Sequence, residues 1–171
     1  MKFGITVRRI REDEWKAFRS LRLDALRTDP LAFGSTLARE TAYPREKWQA
    51  WCKDGATGKR NATFVATSPS GELVGMVGIF SAEGTPHVWG MWTRPAWRNR
   101  GIGHRLMEHL LNWINRSFAT RSVILDVNPS QAAAVSIYTA NGFRFNGAEE
   151  ALGHDSPAVV RQMVRHFGPE P

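Results

Sequence analysis

Arg98-Asn99-Arg100-Gly101-Ile102-Gly103, followed by His104, is the stretch that decides how this chain folds. From Gly101 to about Arg116 the residues Leu106, Leu110, Trp113 and Ile114 recur on one side and Arg105, His109, Asn112 and Arg116 on the other, which predicts an amphipathic helix. Upstream, His87 to Thr93 reads as a strand closed by Pro95, which has no N–H to give a ladder. Downstream, Val123 to Val127 is short, apolar and β-branched, as a buried parallel strand requires. The two glycines therefore stand where a strand turns into a helix. They let the main chain approach a ligand closely, and the unpaired first-turn amides face an anion with the helix dipole behind them. A pyrophosphate fits such a place, and Arg94, Arg98, Arg100 and Arg105 add positive charge beside it. The string is not a Walker loop, since no Lys-Ser or Lys-Thr follows, nor a dinucleotide fingerprint, since position 106 is Leu.

Working outward, residues 5 to 10 alternate as a strand, and Asp13 is expected to cap a helix whose Trp15, Phe18, Leu21 and Ala25 form one stripe ended by Asp29-Pro30. Pro44 opens a second helix carrying Trp48 and Trp51. Thr63 to Thr67 and Leu73 to Phe80 are β-rich runs joined by Ser68-Pro69-Ser70-Gly71, a hairpin. Past the central unit, Ser130 is expected to cap a small-residue helix running to Asn141, with Gly142 as a left-handed C-cap. Phe143 starts a strand, and Ala158 to Val164 supplies the last one. The order β, α, α, β, β, β, α, β, α, β, β predicts one mixed α/β (α+β) domain over residues 1–171, with six to seven strands and about four helices.

Composition narrows the function classes. With 171 residues, 42% apolar and 23% charged, the chain is long enough for its own core and polar enough to stay out of a bilayer. Lys2, Arg8 and Arg9 interrupt the start where a signal peptide needs an apolar block, so the expected location is cytoplasmic. Cys52 is the single cysteine, which excludes an internal disulfide and a cysteine zinc cage. His104 and Glu108-His109 lack metal-ligand spacing, so no metal is expected. The formal charge of +7 attracts polyanions, whether nucleic acid, anionic membrane or a phosphorylated cofactor.

A second segment, Leu125-Asp126-Val127-Asn128, then Gln131, Ala134, Ile137-Tyr138 and Gly142-Phe143, chooses among these. Together with the glycine motif it resembles the GNAT superfamily of acetyl-CoA-dependent N-acetyltransferases, whose central motifs are Arg/Gln-x-x-Gly-x-Gly/Ala and a strand-helix-strand ending Leu-Tyr-x-x-x-Gly-Phe. The resemblance is strong over about residues 87 to 145, and the run Leu21-Arg22-Leu23 to Ala32-Phe33-Gly34-Ser35 looks like one branch of that family.

The resemblance implies acetyl-CoA as co-substrate. Its pyrophosphate would lie on Arg98, Asn99, Arg100, Gly101, Ile102, Gly103 and His104, and its pantetheine arm along the main chain of Met91, Trp92 and Thr93. Thr93 replaces the family's usual Val, and Gln131 stands where many members carry an Asn that touches the arm, a contact Asn128 could also make. Tyr138 would protonate the leaving thiolate; spacing alone favours a core tyrosine beside Ile137, and the family motif reverses that reading. His87, eleven positions before the motif arginine, stands where histone-acetylating members have a glutamate base, with Glu83 and Asp126 as alternatives. Phe33 and Trp89 are the expected acceptor-site residues; Trp89 is expected to share a strand face with His87 and Met91. The expected partner is a small-molecule or peptide amine bound to a monomer or homodimer, with no nucleic acid and no membrane. A polyanion-binding module and a non-catalytic CoA sensor are the competing classes.

Overall fold

The computed structural model describes residues 4–81, 84–117, 119–153 and 157–168. Its elements are β1 (Thr6–Arg9), α1 (Trp15–Thr28), α2 (Leu37–Thr41), α3 (Arg45–Thr57), β2 (Ala62–Thr67), β3 (Leu73–Phe80), β4 (His87–Thr93), α4 (Ile102–Ser117), β5 (Ser122–Val127), α5 (Ala132–Ala140), β6 (Arg144–Ala151) and β7 (Val159–His166). The strands form one sheet in the order β1-β2-β3-β4-β5-β7-β6. Every neighbouring pair is antiparallel except β4 and β5, the two strands joined through α4.

The sheet separates two cores. On one face Leu106, Leu110 and Ile114 of α4 are fully buried against Phe64, Val77, Val88 and Leu125, each contributing about 1.5–3 kcal/mol by burial. On the other, Phe18, Leu21 and Leu26 of α1 and Trp48 and Cys52 of α3 cover Val65, Met76 and Trp92. Strand β2 is buried along its whole length because alternate residues feed opposite cores, which explains its unbroken apolar run. Among the described residues no helix is long and apolar enough to cross a membrane.

Two features of β4 prepare a site. Its pairing with β5 is confined to His87↔Ile124 and Val88↔Leu125, so the rest of that edge diverges from β5. On the β3 side Gly78 faces Trp89 and Met76 faces Trp92, so Gly90 and Met91 together oppose Val77. This is a β-bulge, and Gly90 at φ 66° supplies the left-handed backbone it needs. The bulge corrects one expectation. Met91 packs on the α4 core while Trp89 packs with Trp92 on the α1 core, because the extra residue changes the strand's phase after Trp89.

Three further expectations change. Asp13 does not cap α1; it lies in a 3-10 turn, where Glu14 accepts from the Arg11 N–H at 2.8 Å. Ser130 does not cap α5: Gln131 is the N-cap, and the Asn128 side-chain Oδ1 accepts from Ser130 N–H and Oγ–H at 3.0 and 2.8 Å, an Asx turn. The five-residue α2 adds a fifth helix, capped by Thr36 Oγ1 accepting from Arg39 N–H at 3.1 Å.

Candidate active site

Where β4 leaves β5, a cavity of about 510 Å³ opens toward α4 and α5, within the 300–1,000 Å³ typical of ligand sites. Met91, Trp92 and Thr93 line its strand side; Arg98, Asn99, Gly101, Ile102, Gly103 and His104 line its floor. Gln131 and Ile137 close it from α5. The first helical i to i−4 bond of α4 is Arg105 N–H to Gly101 O at 3.1 Å, so the amides of Ile102, Gly103 and His104 precede the ladder. Asn99 at φ 60° and Gly101 at φ 73° bend the approach into the concave amide arrangement that holds anions. A β-carbon on Gly101 would meet nothing within 4 Å, whereas one on Gly103 would stand 2.7 Å from Ile137 Cδ1. Gly101 thus borders open space and Gly103 lets α4 approach α5, a cradle that fits a pyrophosphate.

The arginines are more committed than the sequence suggests. Arg98 Nη2 donates to Asp29 Oδ2 at 2.6 Å and its Nε to Thr93 O at 3.0 Å. Asp29 Oδ2 also accepts the Trp92 indole N–H at 2.7 Å, tying the end of α1 to the cavity. Arg94 lies outside the lining, paired with Asp24 at 2.8 Å and Glu72 at 3.3 Å. Arg100 sets its guanidinium carbon 4.8 Å from the Trp97 ring and is also outside the lining. Asn128 is buried and occupied by its turn.

Across the paired part of β4 and β5, His87 Nε2 stands 3.0 Å from Asp126 Oδ2, so two candidates named separately for the base form a dyad. The bond from His87 holds the Asp126 carboxyl below its usual range despite its partial burial. Phe80 stacks on the imidazole at 5.4 Å and 14°. Glu83 lies outside the described residues. Tyr138 is buried in the α4 core, edge-on to Phe143 at 6.0 Å, and is not a lining residue; burial raises its phenol pKa. Phe33 and Trp89 come together around the buried Arg22, 4.7 and 5.8 Å from its guanidinium carbon.

Asp29 and Arg22 were missed as site residues. In the sequence Asp29 reads only as a helix stop and Arg22 only as part of the run Leu21-Arg22-Leu23, so neither stands out as a site residue. Among the described residues no three His, Cys, Asp or Glu side chains cluster to hold a metal ion.

A splayed parallel pair, a bulged β4 and an amide cradle at the head of α4 together build a cavity suited to an extended, phosphorylated ligand. The chain belongs to the acetyltransferase (GNAT) family, whose profile matches residues 8–143. It is 33% identical over 110 residues to N-alpha-acetyltransferase RimI of Mycobacterium tuberculosis, covering 61% of this chain and 66% of RimI, just under two thirds of that relative. Its fold is similar to the acetyltransferase of GNAT family from Streptococcus pneumoniae (TM-score 0.80, 20% identity, 95% of this chain and 99% of that one). It is also similar to a GNAT superfamily phosphinothricin acetyltransferase from Sinorhizobium meliloti in complex with AcCoA (TM-score 0.77, 18% identity, 96% and 89%).

Proposed function

We propose that this chain is an N-acetyltransferase that takes acetyl from acetyl-CoA and passes it to a primary amine by direct attack in a ternary complex. The observation that carries the reading is the cavity between the diverging end of β4 and the head of α4, with Ile102, Gly103 and His104 amides on its floor. Acetyl-CoA supplies there an activated acetyl thioester. Gly101 to His104 hold its pyrophosphate, with Arg98 and Asn99 flanking. Met91 offers main chain to the pantetheine arm; the Thr93 carbonyl already serves Arg98. Gln131 borders the same arm.

The acceptor must lose a proton, because an ammonium of pKa about 10.4 is only about one part per thousand free amine at pH 7. His87, whose Nε2 stands 3.0 Å from Asp126 Oδ2, takes that proton on its other ring nitrogen, Nδ1, and Asp126 orients the ring. The family motif has Tyr138 give its O–H proton to the departing thiolate; burial behind the cavity lining keeps the phenol protonated at neutral pH and also makes it a weaker acid. Cys52 does not serve as a nucleophile, since it is buried in the α1 core and its thiol is pushed up to about 12 by burial and then by Glu14.

The discriminating experiment is thermal shift with CoA against duplex and single-stranded oligonucleotides at 150 mM salt, followed by thiol release from acetyl-CoA across an amine panel. CoA stabilisation with amine-dependent thiol release is expected. Oligonucleotide stabilisation without a CoA effect would replace the reading with a nucleic-acid module, and CoA binding without turnover would leave a sensor.

A further inference from the structure

Arg22 projects from α1 into the core beneath the β4 bulge and is 6% exposed. Its Nε and Nη2 donate to the two oxygens of Glu40 on α2 at 2.9 and 2.8 Å, and Glu40 is 2% exposed. Phe33, Trp51 and Trp89 surround the guanidinium, their ring centroids 4.7, 5.5 and 5.8 Å from its carbon. Nη1 is buried and has no hydrogen-bond partner. It faces Gly90, where a β-carbon would lie 3.1 Å away, and Gly90 adjoins Met91 of the cavity lining. Ser35 Oγ, on the loop that carries Phe33, is also buried without a partner. A buried N–H left without an oxygen is costly, and ring contacts favour the charge without accepting these protons. Gly90 carries no side chain, so the bulge presents bare main chain to Nη1 one residue from Met91 of the cavity lining.

We propose that Arg22 Nη1 holds the carbonyl oxygen of an acceptor whose amide or peptide group adjoins the reacting amine. The inference rests on the acetyltransferase reading above. Charge selects a neutral carbonyl over a carboxylate. Glu40 already balances Arg22, so a second carboxylate would bring uncompensated negative charge into a buried place, whereas a carbonyl satisfies Nη1 and adds none. An acceptor with no oxygen there leaves Nη1 unpaired. Sites built around such a bond reject analogues lacking it by large factors, so a preference of at least about 100-fold in kcat/KM is expected.

The test uses the whole protein and three matched sets of ligands: α-amino amides, the free amino acids, and alkylamines of the same shape. Each is titrated calorimetrically with and without CoA and then assayed by thiol release from acetyl-CoA. Amides should bind and turn over best. Arg22→Lys retains a charge for Glu40 but loses the planar fork, and should raise KM for the amide about 10- to 100-fold with a smaller effect on kcat, drawing the amide-to-alkylamine ratio toward one. If that variant does not fold, the wild-type comparison decides alone. Equal handling of amides and alkylamines, preference for the free amino acids, or an equal loss for all three sets in Arg22→Lys would overturn the assignment. CoA binding without amide preference removes Arg22 only. Absence of CoA binding removes the acetyltransferase reading, and the amine titration then judges Arg22 separately.

Discussion

Asp126 Oδ2 stands 3.0 Å from His87 Nε2, so in the proposed reaction Nδ1 is the nitrogen that takes the proton, which separates two roles that one substitution would blur. His87→Ala removes the proposed base and should lower kcat/KM more than Asp126→Asn, which keeps the ring and should lower kcat/KM by about 10- to 100-fold through lost orientation of the imidazole. An equal loss in the two variants would reduce His87 to positioning. Asp126 also carries an acid-stability consequence. Its folded pKa is depressed by the bond from His87, so the stability it adds is present above the unfolded value of about 3.9 and is lost as pH falls through the folded one. Asp126→Asn should therefore cost about 1 kcal/mol at neutral pH, with the gap to wild type closing below about pH 4 in acid-unfolding curves. Tyr138→Phe leaves the edge contact with Phe143 in place. It should lower kcat about 10- to 1000-fold with CoA affinity nearly intact, and full activity would take the phenol out of the mechanism.

At the scale of elements, the glycines at the head of α4 separate strain from space. Gly101 has a left-handed φ of 73° and open surroundings, so Gly101→Ala should cost about 1–2 kcal/mol of stability from backbone strain alone. Its β-carbon also intrudes on the cradle, so CoA affinity should fall further than the lowered Tm implies. Gly103→Val meets Ile137 at the rim and should part α4 from α5, weakening CoA binding at a small cost in strain. Titration calorimetry beside thermal melts checks both, and unchanged CoA affinity in either would move the pyrophosphate elsewhere. These glycines, and the strands Leu73–Phe80 and His87–Thr93, were legible because apolar runs, proline and the glycine spacing are local signals. The bulge at Gly90, the short α2 and the Asx turn at Asn128 were not. Each depends on partners distant in sequence or on a choice between equivalent local hydrogen bonds: Val77 across the ladder, Arg22 gripping Glu40, Ser130 donating to Asn128 instead of capping α5.

For the whole molecule, the +7 charge suggests that ionic attraction governs ligand binding, but the pairing of the arginines changes the weighting. Arg98 is matched by Asp29, and Arg94 by Asp24 and Glu72, so much of the positive charge near the cavity is already balanced and the amides of α4 carry more of an anion's recognition. Amide bonds in a concave site are screened less by salt than exposed charge pairs. Raising salt from 50 to 200 mM should therefore weaken CoA binding less than about tenfold, whereas a protein making 6–10 phosphate contacts to nucleic acid loses about 10³–10⁵ over that range. Arg98→Ala should weaken CoA more than the loss of one surface charge, because Asp29 would be left as an unmatched carboxylate on the cavity wall. Asp29→Asn should recover part of that loss in the double variant. Titrations at the two salt concentrations decide the matter: a steep salt dependence for CoA, with Arg98→Ala no worse than removal of a distant arginine, would return recognition to the diffuse basic surface and away from the head of α4.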